Sequence, residues 1–139
     1  MIVLSVCGDQ LLMAPPTFRP GIAGQTVDFP GGRVPSGAPP QELVGALLRR
    51  ELGVAPASVQ EVTPLNINGW AVDSSFSNQR IWGFIAQLTQ PLAQLDEKPL
   101  IRVPLTGRHI ADLLETLHCL QCRALLLERL HTYKHRLPG

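Results

Sequence analysis

Apolar residues alternate, cluster or recur at helical spacing in a clear order along the chain. Ile2 to Cys7 is a β-rich run and Leu11 to Met13 resumes it. Gly8-Asp9-Gln10 lies between them, so the start predicts a β-hairpin. Pro15, Pro16 and Pro20 make the next stretch irregular. Gln25 to Phe29 alternates, with Val27 and Phe29 on one face and Asp28 on the other, and Pro30-Gly31-Gly32 breaks it. The loop from Pro35 to Pro40 leads into a helical period over Gln41 to Leu52. There Leu43, Leu47 and Val44, Leu48 recur four apart, Pro39 or Pro40 suits the first turn, and Gly53 supplies the stop. The pattern predicts burial of Leu43 and of Leu47 or Leu48. Asn66 to Gly69 and Ser74 to Asn78 are polar loops. Arg80 to Leu88 reads as one core strand, with Trp82, Phe84, Ala86 and Leu88 on one face. Gln90 to Pro99 reads as a surface loop, and Leu100 to Leu105 as an edge strand demoted at Pro104. Thr106 onward is expected to be helical to about Leu137, as two helices broken near Leu117 to Gln121. Strands, helix, strands, helices make a mixed α/β arrangement with helices covering a sheet, in a single domain over residues 1–139.

Composition narrows the classes. The chain has 139 residues, 45% hydrophobic and 17% charged, which excludes a disordered tail, a collagen-like repeat and a charged coiled coil. The net charge is +1, so bulk electrostatics give no support for a nucleic-acid partner. No apolar stretch approaches the ~20 residues that span a bilayer. The first residues, MIVLSVCGDQ, have no basic leader before their apolar run, so no signal peptide is expected. Three cysteines do not make a disulfide framework, and a reducing cytoplasm is the simpler expectation.

The segment from Pro30 to Val54 reads PGGRVPSGAPPQELVGALLRRELGV. It resembles the Nudix box, G-x5-E-x7-R-E-U-x-E-E-x-G-U with U a bulky aliphatic residue, which marks hydrolases of nucleoside diphosphates linked to another group. Gly53-Val54 takes the closing G-U, Gly32 then falls on the opening glycine without a gap, and Leu48 fills the inner aliphatic position. Phe18-Arg19 resembles the aromatic–arginine pair that precedes the box in ADP-ribose pyrophosphatases. Arg102 to Leu105 resembles the strand after their substrate loop, and Trp82 to Leu88 their last long core strand. The resemblance implies an α/β/α sandwich with a mixed sheet, and a nucleotide-diphosphate ligand.

The box carboxylates do not follow the family. Its first Glu position is Ala38, its Arg-Glu pair is Ala46-Leu47, and its Glu-Glu pair is Arg50-Glu51. Mg²⁺ needs hard oxygen ligands, and the resemblance implies glutamates at 47, 50 and 51 converging within a ~100° sector of the helix. Here that sector carries Leu47, Arg50 and Glu51, so Glu51 is expected to be a vestigial catalytic residue. Asp28 lies where ADP-ribose hydrolases often carry a Glu, and Glu51 with Asp28 forms a reduced candidate metal site. Mg²⁺ or Mn²⁺ is implied only if hydrolysis is retained. An Arg binds phosphate oxygens without a metal, which makes Arg50 a candidate ligand contact, with Arg19, Arg33 and the backbone of Gly31 and Gly32. Leu47 reads as a further core contact. Trp70 reads either as an adenine-stacking residue or as a satellite core contact.

Cys119-Leu-Gln-Cys122 precedes His131 and His135, but the intervening apolar period leaves these residues too far apart on one helix to share a zinc ion. The two cysteines are therefore expected to be buried side chains on one helix face, with no zinc and no mutual disulfide. His109, His118, His131 and His135 face no nucleophile at an informative spacing. Arg123, Arg129, Lys134 and Arg136, with Tyr133, form a basic run read as a solvated helix face. The leading expectation is a nucleotide-diphosphate-binding protein with impaired or absent hydrolysis. Two alternatives stand beside it: an active hydrolase using Glu51 with Asp28 or Asp73, and a regulatory module that binds RNA or protein. No membrane partner is expected, and a homodimer is compatible with the sequence.

Overall fold

A computed structural model describes residues 1–89 and 99–133. The expected loop from Gln90 falls almost wholly outside these residues, as does the part of the expected C-terminal helix beyond Tyr133. The first hairpin forms as read, with β1 (Ile2–Cys7) antiparallel to β2 (Gln10–Met13) and Gly8 in the left-handed region at φ 61°. Gln10 belongs to the strand, which shortens the turn to Gly8-Asp9. β3 (Thr17–Arg19) and β4 (Gly24–Thr26) make a small ribbon, and β6 (Trp70–Ala71) pairs with β7 (Arg80–Ile81) in another.

The main sheet has five strands, adding β5 (Val59–Pro64), β8 (Gly83–Leu88) and β9 (Ile101–Pro104), in the order β5-β8-β1-β2-β9. β1 runs parallel to β8, and the other neighbours are antiparallel, so the sheet is mixed. β9 lies at the edge, where Pro104 removes no ladder donor that the sheet needs.

The two faces of β1 define the two cores. Ile2, Leu4 and Val6 pack with Ile110, Leu113, Leu125 and Leu126, which belong to α2 (Gly107–Thr116) and α3 (Leu120–Thr132). Val3 and Cys7 pack on the opposite side with Val44, Leu47, Leu48 and Leu52 of α1 (Val44–Leu52). The layers are helix, sheet, helices, as expected.

Four boundaries differ from the sequence pattern. Pro40 to Leu43 is a 3₁₀ turn, not the start of an α-helix, and leaves Leu43 half-exposed. Pro39 has no side chain that caps the first turn, and the tighter turn supplies bonds instead, as from Glu42 N–H to the Pro39 carbonyl. The run Arg80 to Leu88 keeps its alternating faces but changes partner at Trp82, from the β6 ribbon to the main sheet. The expected strand over Gln25 to Phe29 ends at Thr26, so Asp28 lies in the connection that follows. Cys119 is not on the helix face; it is the N-cap of α3, with backbone φ −73° and ψ 113°. Gly53 ends α1 as expected, at φ 72°, its N–H directed at the carbonyls of Arg49 and Leu48.

Candidate active site

Pro30, Gly31 and Gly32 are fixed by backbone bonds to the start of β1. β2 pairs only with the later part of β1, from Ser5 to Cys7. The earlier part takes this segment instead: Val3 N–H donates to the Pro30 carbonyl, Gly32 N–H to the Met1 carbonyl, and Ile2 bridges Gly31. The glycine segment thereby lies against α1. A Cβ on Gly32 would come within 3.1 Å of Arg50 Nη2 and 3.3 Å of Leu47 Cδ1, so the close approach favours glycine.

A cleft of about 350 Å³ opens beside this segment. Of the expected site residues it is lined by Arg19, Asp28, Gly31, Gly32, Arg33 and Glu51. Residues from separate segments of the chain meet there, because β1, the glycine segment, the β3–β4 ribbon, the end of α1, β7 and the start of α3 converge at one end of the sheet.

Arg50 does not line the cleft. Its Nε donates to Glu51 Oε1 at 2.8 Å, and its Nη2 to the Gly31 carbonyl at 3.3 Å. The guanidinium thus bridges the box carboxylate and the glycine segment. Leu47 is 3% exposed and belongs to the core under the sheet. Arg19 Nε donates to Asp28 Oδ2 at 3.0 Å. Glu51 and Asp28 are therefore both engaged by arginines, and the helix sector that would complete an oxygen cage carries Leu47 and Arg50. These residues do not fit the Mg²⁺ or Mn²⁺ set that the family resemblance implies.

Trp70 lies elsewhere. It is half-buried in β6, packs against the core and lines an adjoining apolar groove with Val72, Leu120 and Ala124. Asp73 also stays out of the cleft; its Oδ1 accepts from the N–H groups of Ser75 and Phe76 and closes its own turn.

Three cleft residues escaped the sequence reading. Arg80 lines the cleft, and its Nη1 donates to the Gly69 carbonyl at 3.1 Å. Nothing in its local pattern distinguishes it from a strand-end arginine. Cys119 and Cys122 line the cleft as well, and both are free thiols. Their C-x2-C spacing was the available signal. A hydrogen bond from Cys122, outweighing burial, brings the Cys119 thiol down to about 6. The same bond, together with burial, pushes the Cys122 thiol up.

The basic run is not a uniformly solvated face either. Arg129 is buried, with its guanidinium 5.8 Å from the centre of the Tyr133 ring. Arg123 Nη1 donates to the carbonyls of Leu114 and Leu117, closing the end of α2. Lys134, His135 and Arg136 lie outside the described residues.

The architecture has a counterpart among solved structures. The crystal structure of an ADP compounds hydrolase matches with a TM-score of 0.68 and 19% identity, covering 96% of this chain and 71% of that chain. The fold is Nudix-like. At this identity the likeness is one of fold. No protein-family profile matches this chain, and no curated protein matches it. Among the described residues, no helix is long and apolar enough to cross a membrane.

Proposed function

We propose that this Nudix-like protein carries a degenerate box and binds a nucleotide-diphosphate ligand without efficient metal-dependent hydrolysis. One observation carries the reading: the Arg50 guanidinium joins Glu51 at 2.8 Å to the Gly31 carbonyl at 3.3 Å. A cation thus already engages the carboxylate that a hydrolase of this fold would offer to a metal. The resemblance supplies the ligand class. The cleft agrees with it, because Arg19, Arg33 and Arg80 line its wall. Arginines bind diphosphate oxygens through charge-assisted bonds that require no metal. Arg50 supports the glycine segment in this reading, and Arg33 is the more direct phosphate contact.

A second reading has its own support, since Asp28 and Glu51 line the same cleft. In it the two carboxylates hold a divalent ion once their arginines turn aside, and the protein is an atypical hydrolase.

Calorimetry against ADP-ribose, ADP and inorganic diphosphate separates the two. Binding is expected to survive EDTA, to weaken with salt, and to fall by about 1.5–3 kcal/mol in Arg33→Ala. Binding that requires Mg²⁺, with ADP-ribose turnover abolished in Glu51→Gln, would favour the atypical hydrolase. Absence of binding to all three ligands would refute both.

A further inference from the structure

The cleft wall holds a cluster that diphosphate binding does not use. Asp28, Cys119 and Cys122 bring a carboxylate oxygen and two sulfurs within 4.8 Å of one another. The carboxylate comes from the connection after β4, and the sulfurs from the N-cap and first turn of α3. Arg19 engages Oδ2 of Asp28; the buried Oδ1 has no hydrogen-bond partner among the described residues. A buried carboxylate oxygen left without a donor is costly, and such an orphan calls for an unseen partner.

We infer that Asp28, Cys119 and Cys122 form a binding site for a thiophilic divalent cation of the zinc class, with three protein ligands and a fourth position open to the cleft.

The ligand set decides the class of ion. Sulfur donors select zinc-like ions, whereas Mg²⁺ requires oxygen. A tetrahedral zinc with bonds of about 2.0–2.3 Å has ligand atoms about 3.5–3.8 Å apart. Closing the cluster on an ion therefore takes side-chain movements of about an ångström. Two thiolates and a carboxylate exceed the ion's charge by one, and Arg19 lies against the carboxylate to offset it. An outer partner that fixes a ligating side chain in this way is usual at metal sites. All three residues line the cleft, so the remaining coordination position is accessible from it. Three protein ligands with one open position mark a reactive rather than a purely structural zinc site. The inference stands whether or not the cleft binds a nucleotide, because its test reads the metal alone.

The test uses the reduced, metal-stripped full chain, titrated with Co²⁺ and then with Zn²⁺ or Mg²⁺. One cobalt per chain is expected, with a thiolate-to-cobalt charge-transfer band and the intense visible bands of four-coordinate cobalt. Zn²⁺ should bleach them and Mg²⁺ should not. Cys119→Ser retains a good N-cap residue, so circular dichroism should be unchanged while cobalt affinity falls at least tenfold, about the least that even outer-partner changes cost at such sites. Asp28→Asn should weaken cobalt by a similar factor and keep the charge-transfer band. No cobalt binding by the reduced protein, unchanged affinity in folded Cys119→Ser, or bleaching by Mg²⁺ would each overturn the inference.

Discussion

Arg50 and Leu47 replace two carboxylate positions of the family pattern, and they do so in physically different ways. Arg50 is a surface residue: its side chain is 63% exposed and that of Glu51 33%, so their pair contributes at most about 1 kcal/mol to stability. Arg50→Glu should therefore fold normally. It removes the fixed cation and sets a second carboxylate beside Glu51, and Mn²⁺ should bind measurably more tightly than to the unaltered protein. Electron paramagnetic resonance of free Mn²⁺ reads this directly, and equal affinity would show that Arg50 is not what keeps the metal away. Leu47 is a core residue. Leu47→Glu places a carboxylate among Val44, Leu48 and Phe84, and should destabilise the protein by at least about 2 kcal/mol in urea unfolding. Restoring the family pattern at position 47 thus conflicts with the packing of this chain, whereas restoring it at position 50 does not.

The helices are held to the sheet by specific contacts as well as by apolar area. α3 docks on β8 where Leu125 lies over Gly83; a Cβ on that glycine would come within 2.1 Å of Leu125 Cδ2. Leu125 is fully buried, so the docking cannot be relieved by turning the side chain into solvent. Gly83→Ala should cost about 1–3 kcal/mol through overpacking, and Leu125→Ala about 2–5 kcal/mol through the cavity it leaves. The two residues touch, so the double variant should lose clearly less than the sum of the single losses. Additive losses in a denaturation series would mean that α3 is positioned by other contacts. The position of α3 matters beyond stability, because its N-cap and first turn carry Cys119 and Cys122 into the cleft.

β1 is the axis of the molecule. It pairs with β8 along its full length, with β2 at one end and with the Pro30–Gly32 segment at the other, and all six of its residues are buried. The two-residue and three-residue ribbons have no such support, and short isolated ribbons are marginal in water. Hydrogen exchange should therefore be slowest in β1 and the facing part of β8, approaching the global unfolding limit, and fastest in β3–β4 and β6–β7. The cleft lies between these regimes, with its glycine segment tied to β1 and its Arg19 on a labile ribbon. Uniform protection across all four segments would contradict this division.

Much of the fold was legible in the residue order. The hairpin at Gly8, the stop at Gly53, the alternating faces of Arg80 to Leu88 and the edge position of Pro104 follow from local sterics and from periods of two or about 3.6 residues. Those signals are contained within a few residues of each position, so they survive without knowledge of the rest. The resemblance of Gly32 to Val54 to the Nudix box pointed to the glycine segment and Glu51, and both line the cleft. What the order of residues left open depended on which segments meet. The sequence sets Cys119 and Cys122 near His131 and His135, yet the group beside them in space is Asp28, brought there by the β3–β4 ribbon and the sheet. Of the two readings of Trp70, the structure favours the satellite core contact: paired with Ile81, it packs against the core and lines the neighbouring groove. Helix angle points Arg50 toward a ligand, whereas its side chain reaches Glu51 and the Gly31 carbonyl. Periodicity fixes the face on which a side chain begins. Only the packing of distant segments fixes which partner a long or polar side chain finds there, because that partner's distance is set by sheet order and helix docking.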